Sequence, residues 1–297
     1  MSANSVESGY NSSNEEYQKP NNQRIERDQK RLQNEFAIED IMMDSANGRL
    51  YTGYEIKSGA NVVIKQIPRA KVNSWCQLGG AVVPSEIYYH FRAASFDTNN
   101  VIIKPLAWFE KRSSFILIME RLPHSSDLFD LSKKYGCLSD EAAHVIYSQI
   151  LQMIDTLNRA GIVHRDLKDE NIVVDQSTLS AKLIDFGCAR TLDNEVHNEF
   201  SGTPEFYPPE YWRSRNYTHT SMNIWSSGVI LYILLTGHLP CQSVDDIPLY
   251  RVQTDPLVLG KSVATRAILT SVLQGFSSKR PSLSELTANV AQWGSQF

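Results

Sequence analysis

Little in this sequence belongs to the chemistry of secreted or membrane-spanning proteins. Its four cysteines (Cys76, Cys137, Cys188 and Cys241) are scattered through 297 residues, with no CxxC pair and no metal-ligand spacing. That argues against a disulfide framework and predicts free thiols in a reducing compartment. Long apolar runs are missing as well. The longest, VILYILL at 229–235, falls far short of the ~20 residues that a membrane span requires. No basic-then-apolar pattern opens the chain, so no secretory leader is expected. An excess of one charge sign is also absent. With 29 Lys+Arg against 33 Asp+Glu, the formal net charge is −4, which argues against bulk electrostatic attachment to nucleic acid or an acidic membrane surface. The expectation is an intracellular protein, in the cytoplasm and/or nucleus, with neither nucleic acid nor membrane as partner. Nothing suggests an obligate oligomer, so a monomer is expected.

A hydrophobic content of 42% is enough for one large core or two packed lobes. Residues 1–35 are rich in Asn, Ser, Glu, Gln and Lys with isolated apolar positions, and are expected to form a disordered tail. DQKRLQNEF, 28–36, is a candidate short helix leading into the domain. From Phe36 the character changes. FAIEDIM, RLYTGYEI, NVVIKQI, VIIKPLAWFE and FILIME read as strands, interrupted by a helical PSEIYYHFRAA at 84–94, whose Pro84 suits a first turn. After residue 125 helices dominate. In SDEAAHVIYSQILQMIDTLNRAG, Ser139 is a predicted N-cap and Gly161 a stop, with Ile146, Ile150, Met153, Ile154 and Leu157 at three- and four-residue steps. NIWSSGVILYILLTG reads as a buried helix. The pattern predicts an α+β, bilobal domain over 36–290: a β-rich N-lobe with one main helix (36–120), a larger helical C-lobe (124–290), and a short C-terminal end at 291–297. A cleft between two such lobes is the natural place for a ligand.

The densest chemistry lies in IVHRDLKDENIVVD, 162–175, and AKLIDFGCAR, 181–190. Phosphoryl transfer from a nucleotide needs a carboxylate to orient the attacking hydroxyl, hard oxygen ligands for Mg²⁺ and cations near the phosphates. Asp166 suits the first role, Asn171 and Asp185 the metal, and Lys168 the transferred group. A lone DFG is a common tripeptide that usually marks only a turn. HRDLKDEN, DFG and VVIK in this order, however, resemble the signature set of the protein kinases.

That resemblance covers about 36–290 and implies an ATP- and Mg²⁺-dependent enzyme acting on proteins. It implies that Lys65 holds the nucleotide phosphates with Glu86 as its helix partner, although a solvated helix carboxylate is the plain alternative for Glu86. SGTPEFYPPE, 201–210, resembles the end of an activation segment, with Pro208-Pro209-Glu210 for the usual Ala-Pro-Glu, and Arg280 of SSKRPS matches the partner of Glu210. Lys168 and Thr203 resemble the serine/threonine class, with Thr203 on the substrate side. MERLPHSSDLFDL, LIDFG, FYPPEYW and the Asn223 that stands two residues before Trp225 are most similar to the Pim family. Kinases of that type prefer arginines ahead of the phosphorylated residue, which requires a carboxylate cluster. Asp127, Asp130, Asp169 and Glu170 match one, with helix capping or exposure to water as the alternative for Asp127 and Asp130.

Three departures from the family pattern matter. The glycine-rich loop, MDSANGRL at 43–50, keeps only Gly48: Met43 and Ser45 replace two glycines and Asp44 adds a negative charge, which should weaken ATP binding, while Leu50 still supplies an apolar roof. In the hinge, Glu120 to Leu122 after the gatekeeper Met119, Leu122 replaces the Pim proline and restores a backbone donor for adenine. In the activation segment, Arg165 would ordinarily meet a phosphate. Glu199 lies where the Pim kinases have a carboxylate in that role, so activity without activation-loop phosphorylation is expected. The degraded loop leaves a second reading open, a pseudokinase or scaffold. Against it, Lys65, Glu86, Asp166, Lys168, Asn171 and Asp185 are all present. Cys188 reads as a buried, inert thiol rather than a reactive one.

Overall fold

The computed structural model describes residues 20–45 and 48–297, which divide into two compact units. The expected disorder of residues 1–19, and positions Ala46 and Asn47 of the glycine-poor loop, lie outside the described residues.

The first unit holds residues up to Ser95 together with Ile103–Arg121. It begins with α1 (Asn22–Glu35), which corrects the expectation of disorder to residue 35 and extends the candidate helix at 28–36 back to Asn22. Composition alone does not favour this segment. Its order comes from capping by Asn21, from burial of Leu32 with Phe36, Val62, Ile64 and Phe109, and from Asp28, whose carboxylate accepts the Glu110 N–H at 2.9 Å. Strands β1 (Phe36–Ser45), β2 (Gly48–Glu55) and β3 (Asn61–Pro68) follow. A short hairpin, β4 (Trp75–Leu78) and β5 (Ala81–Pro84), was not visible as strands in the sequence; it leads into α2 (Ser85–Phe96). β6 (Pro105–Glu110) and β7 (Ser114–Glu120) complete the unit. The antiparallel order β1-β2-β3-β7-β6 puts Lys65 opposite Leu50 on one side and Leu117 on the other. The expected strand VIIKPLAWFE begins only at Pro105, because Ile102 instead bridges Leu183 in the second unit.

The second unit comprises Phe96–Ile102 and Leu122–Phe297. β8 (Ser125–Asp127) and α3 (Leu128–Tyr135) open it, and α4 (Asp140–Ala160) carries the expected Ser139 cap and a left-handed Gly161 at its end. Between α4 and the next helices run β9 (Ile162–Val163), β10 (Ile172–Asp175), β11 (Ser180–Leu183) and β12 (Arg190–Thr191). β10 lies between β8 and β11, and β12 pairs with β9. α5 (Pro209–Ser214) precedes α6 (His219–Thr236), in which every residue from Met222 to Leu235 is buried, as its unbroken apolar character predicts. α7 (Pro256–Leu259), α8 (Val263–Val272) and α9 (Leu283–Gly294) close the unit. No helix among the described residues is long and apolar enough to cross a membrane.

Candidate active site

β9 buries both of its side chains and β10 buries Ile172 and Val174, and the loop between them must turn sharply. Arg165 and Asp185 both take left-handed backbone angles, φ +65° and +61°, a conformation that costs a non-glycine residue about 1–3 kcal/mol and that clusters at functional sites. Packing offsets this strain. The buried His164 joins its Nε2 to the Ile184 carbonyl at 3.1 Å, and the Ile184 N–H donates to Asn171 O at 2.9 Å. These two bonds tie the loop carrying Asp166 and Asn171 to the segment carrying Asp185. Burial lowers the His164 pKa, so the ring acts as a neutral strut.

Asp166 is fixed from two sides. Thr203 Oγ1 donates to its Oδ1 at 2.8 Å, and Asn171 Nδ2 donates both to its Oδ2 at 3.0 Å and to its backbone carbonyl at 2.8 Å. With Nδ2 so engaged, Asn171 has its Oδ1 left as a hard acceptor. Asp185 accepts the Gly187 N–H at 3.1 Å. An amide oxygen and a carboxylate are the donors that suit Mg²⁺. Lys168 Nζ pairs with Glu170 and lies 3.8 Å from Asp166 Oδ2. Burial opposes its charge, but the carboxylates of Glu170 and Asp166 outweigh it and raise the pKa.

In the first unit Lys65 Nζ and Glu86 Oε1 form an ion pair at 2.5 Å, both mostly buried. Glu86 is the acidic residue of the first turn of α2, where the helix dipole favours it. Gly48 (φ +140°) is required by its own sheet, since a Cβ there would lie 2.2 Å from Gln66 O. Across the same hairpin Met43 faces Leu50, and Asp44 pairs with Arg49 at 3.0 Å, which offsets the charge expected to disfavour phosphate. The Glu120 carboxylate accepts the Lys104 N–H at 2.7 Å. In the second unit no acceptor among the described residues takes the Leu122 N–H, while its carbonyl accepts Ser125 Oγ at 2.9 Å.

The four acidic residues come together but are not equivalent. Asp127 caps α3, accepting the Asp130 N–H at 2.7 Å, so the capping alternative holds for it. Asp169 is buried, which pushes its pKa up to about 6 with help from Glu170. Asp130 and Glu170 remain exposed. Burial first, then the charges of Asp130 and Glu170, raise the Asp127 pKa.

Glu199 requires a correction. It pairs with Arg190 at 3.1 Å, both half exposed, and not with Arg165. Arg165 is buried, its Nε donates to Cys188 O at 2.9 Å, and burial followed by the neighbouring Arg190 lowers its pKa. A surface pair needs no desolvation, so Glu199 takes the accessible guanidinium. By contrast Glu210 and Arg280 meet as expected, in a buried bidentate pair at 2.6 and 2.8 Å completed by Ser221. Sequence reasoning missed Ser221 and Gly202. At Gly202 (φ +102°) a Cβ would lie 2.9 Å from Asp166 Oδ1 and 2.5 Å from Arg165 O. The glycine beside Thr203 was the available signal. Burial raises the Cys188 pKa, in keeping with an inert thiol.

The protein kinase domain family matches residues 44–290. The chain belongs to the protein kinase family. The kinase is 31% identical over 264 residues to the serine/threonine-protein kinase pim-2 of Danio rerio, an alignment covering 86% of this chain and 84% of that one. It is 35% identical over 200 residues to the serine/threonine-protein kinase prk-2 of Caenorhabditis elegans, covering 67% and 45%. A PAS domain-containing serine/threonine-protein kinase of Mus musculus is 32% identical over 247 residues, 81% of this chain and 17% of that protein. The kinase is thus of the serine/threonine class and Pim-like. The family generally uses ATP and Mg²⁺ and acts on proteins.

Proposed function

We propose that this kinase transfers the γ-phosphoryl group of ATP to serine or threonine in proteins bearing arginines ahead of the acceptor. The observation that carries this reading is the double fixing of Asp166. Thr203 and Asn171 hold one oxygen each, so the carboxylate is positioned to accept the acceptor hydroxyl's proton. Asn171 Oδ1 and Asp185 would hold Mg²⁺, which neutralises phosphate charge when bound. Lys168 would stabilise the transferred group, and the Lys65–Glu86 pair would bind the phosphates, with Leu122 donating to adenine and Met43, Gly48, Leu50 and Glu120 bordering the nucleotide.

Asp130 and Glu170, exposed and backed by the buried Asp169 and the half-buried Asp127, support arginine recognition, since guanidinium pairs best with carboxylate. Activity without activation-loop phosphorylation is part of the reading. Its support is the set of contacts that order the segment without a phosphate: Thr203–Asp166, Arg190–Glu199, and Tyr207 Oη bonded to both N–H and carbonyl of Ser201. A monomer in the cytoplasm or nucleus completes it; the four free thiols suit a reducing compartment. The scaffold reading rests on Met43 and Ser45 alone.

The test is phosphate transfer from ATP–Mg²⁺ to a serine peptide with upstream arginines, beside the same peptide with alanines. Transfer that prefers arginine and vanishes in Asp166→Asn is expected. A folded protein with no transfer at saturating ATP would assign the function to partner binding. Transfer indifferent to arginine would remove the specificity claim and leave catalysis standing.

A further inference from the structure

Asp193 and His197, four residues apart in the activation segment, meet His219 from the start of α6 in the second unit. His197 and Tyr217 exchange backbone hydrogen bonds at 2.8 and 3.0 Å, which brings the activation segment alongside the first turn of α6. That pairing stacks the His197 and His219 rings, centroids 3.8 Å apart and 20° from parallel. Asp193 Oδ1 lies 2.7 Å from His197 Nε2 and 3.7 Å from His219 Nδ1. One ligating atom from each residue fits within 4.8 Å of the others.

His219 is the anomaly. It is 1% exposed, yet neither ring nitrogen has a hydrogen-bond partner. Buried polar atoms are nearly always satisfied, and an orphaned pair on one ring needs a reason. The 3.7 Å gap to Asp193 is too long for a hydrogen bond. It is close to the separation of two ligands on one tetrahedral ion, about 3.3–3.5 Å for bonds of ~2.0–2.2 Å, whereas the Asp193–His197 hydrogen bond at 2.7 Å has to open and give up its proton to admit the ion. We propose that Asp193, His197 and His219 form a binding site for a nitrogen-seeking divalent ion of the Zn²⁺ class, which clamps the activation segment to the start of α6. Two imidazoles and one carboxylate are a common zinc donor set, and the partial exposure of Asp193 and His197 leaves water to complete the shell. The charges of Arg165 and Arg190 reach His219 and oppose any cation. Binding strength therefore has to come from metal–imidazole bonds, which selects Zn²⁺, Co²⁺ or Ni²⁺ over Mg²⁺ and Ca²⁺. The site stands apart from the nucleotide metal of the kinase reaction and needs no turnover to be seen.

The experiment is calorimetric titration of the chelator-stripped full chain with Zn²⁺, with Co²⁺ absorption as a second probe. One saturable equivalent is expected, a Zn²⁺-dependent rise in melting temperature, and cobalt ligand-field bands without a thiolate charge-transfer band. His197→Ala and Asp193→Asn, at partly exposed positions, should each lower the affinity more than about tenfold. His219→Asn should do the same, and melting curves recorded without metal separate that loss from misfolding. No saturable binding by the wild type, affinity unchanged in the His197 and Asp193 variants, or a thiolate band pointing to the cysteines would each overturn the assignment.

Discussion

At the scale of single residues, the site depends on one atom that is missing. Gly202 lets the activation segment lie against the Asp166 carboxylate, and a methyl there meets Arg165 O and Asp166 Oδ1 well inside contact distance. Gly202→Ala should lower kcat more than about tenfold while KM for ATP changes little, because it displaces Asp166 and leaves the Lys65–Glu86 pair untouched; steady-state kinetics check this. Asp169 supplies a pH dependence. An unfolded aspartate loses its proton near 3.8, whereas the folded one holds it to about 6. The penalty for ionising it in the folded chain is therefore absent below pH 3.8 and complete above about 6. Below about 6 the acidic cluster also loses a charge. The preference for arginine peptides over alanine peptides should fall as pH drops through 6, and Asp169→Asn should flatten that step. The candidate catalytic residues were legible because HRDLKDEN and DFG are short local strings. The partner of Glu199 was not, because the choice between Arg165 and Arg190 turns on burial, which no spacing reveals.

At the scale of elements, the contact of α5 with Arg280 has its strength in desolvation. The guanidinium is almost wholly buried, and removing either partner leaves an unpaired charge. Arg280→Met is expected to cost about 3–5 kcal/mol in urea unfolding. Burial opposes ionisation of Glu210, but Arg280 more than offsets it and holds the carboxyl below its ordinary 4.5. The pair's contribution is thus present above pH 4.5 and lost as pH falls through the lower folded value. Among the helices, α4 was legible because caps and apolar period agree, and α6 because its unbroken apolar run reads as a buried helix. The hairpin of β4 and β5 was not, since four-residue strands around Gly79-Gly80 carry too few alternations to register. The first turns of α1, before the candidate helix at 28–36, escaped because its apolar face amounts to little more than Leu32; an aspartate does the rest.

At the scale of the whole molecule, the α+β division into a sheet-rich first unit and a helical second one was readable from Phe36 onward, because strand and helix periods separate cleanly along the chain. Activity without phosphorylation belongs to this scale. Phosphatase-treated protein should retain most of its peptide kinase activity, and Thr191→Ala with Ser201→Ala should leave it within about twofold. Activity that appears only after phosphorylation of either residue would show that Arg165, which no carboxylate meets among the described residues, waits for a phosphate.

The helix before Phe36 has a consequence for solubility. β6 ends the order of paired strands, and an edge strand with free backbone groups invites pairing with another chain. Asp28 takes the Glu110 N–H of that edge, the Asn21 N–H donates to the Glu110 carboxylate at 3.2 Å, and Arg24 and Arg31 lie over Trp108 and Phe109. α1 therefore acts as a guard rail along an otherwise sticky border. A chain cut just before Phe36, where composition places the start of the domain, should scatter light and self-associate at concentrations where the longer chain stays monodisperse.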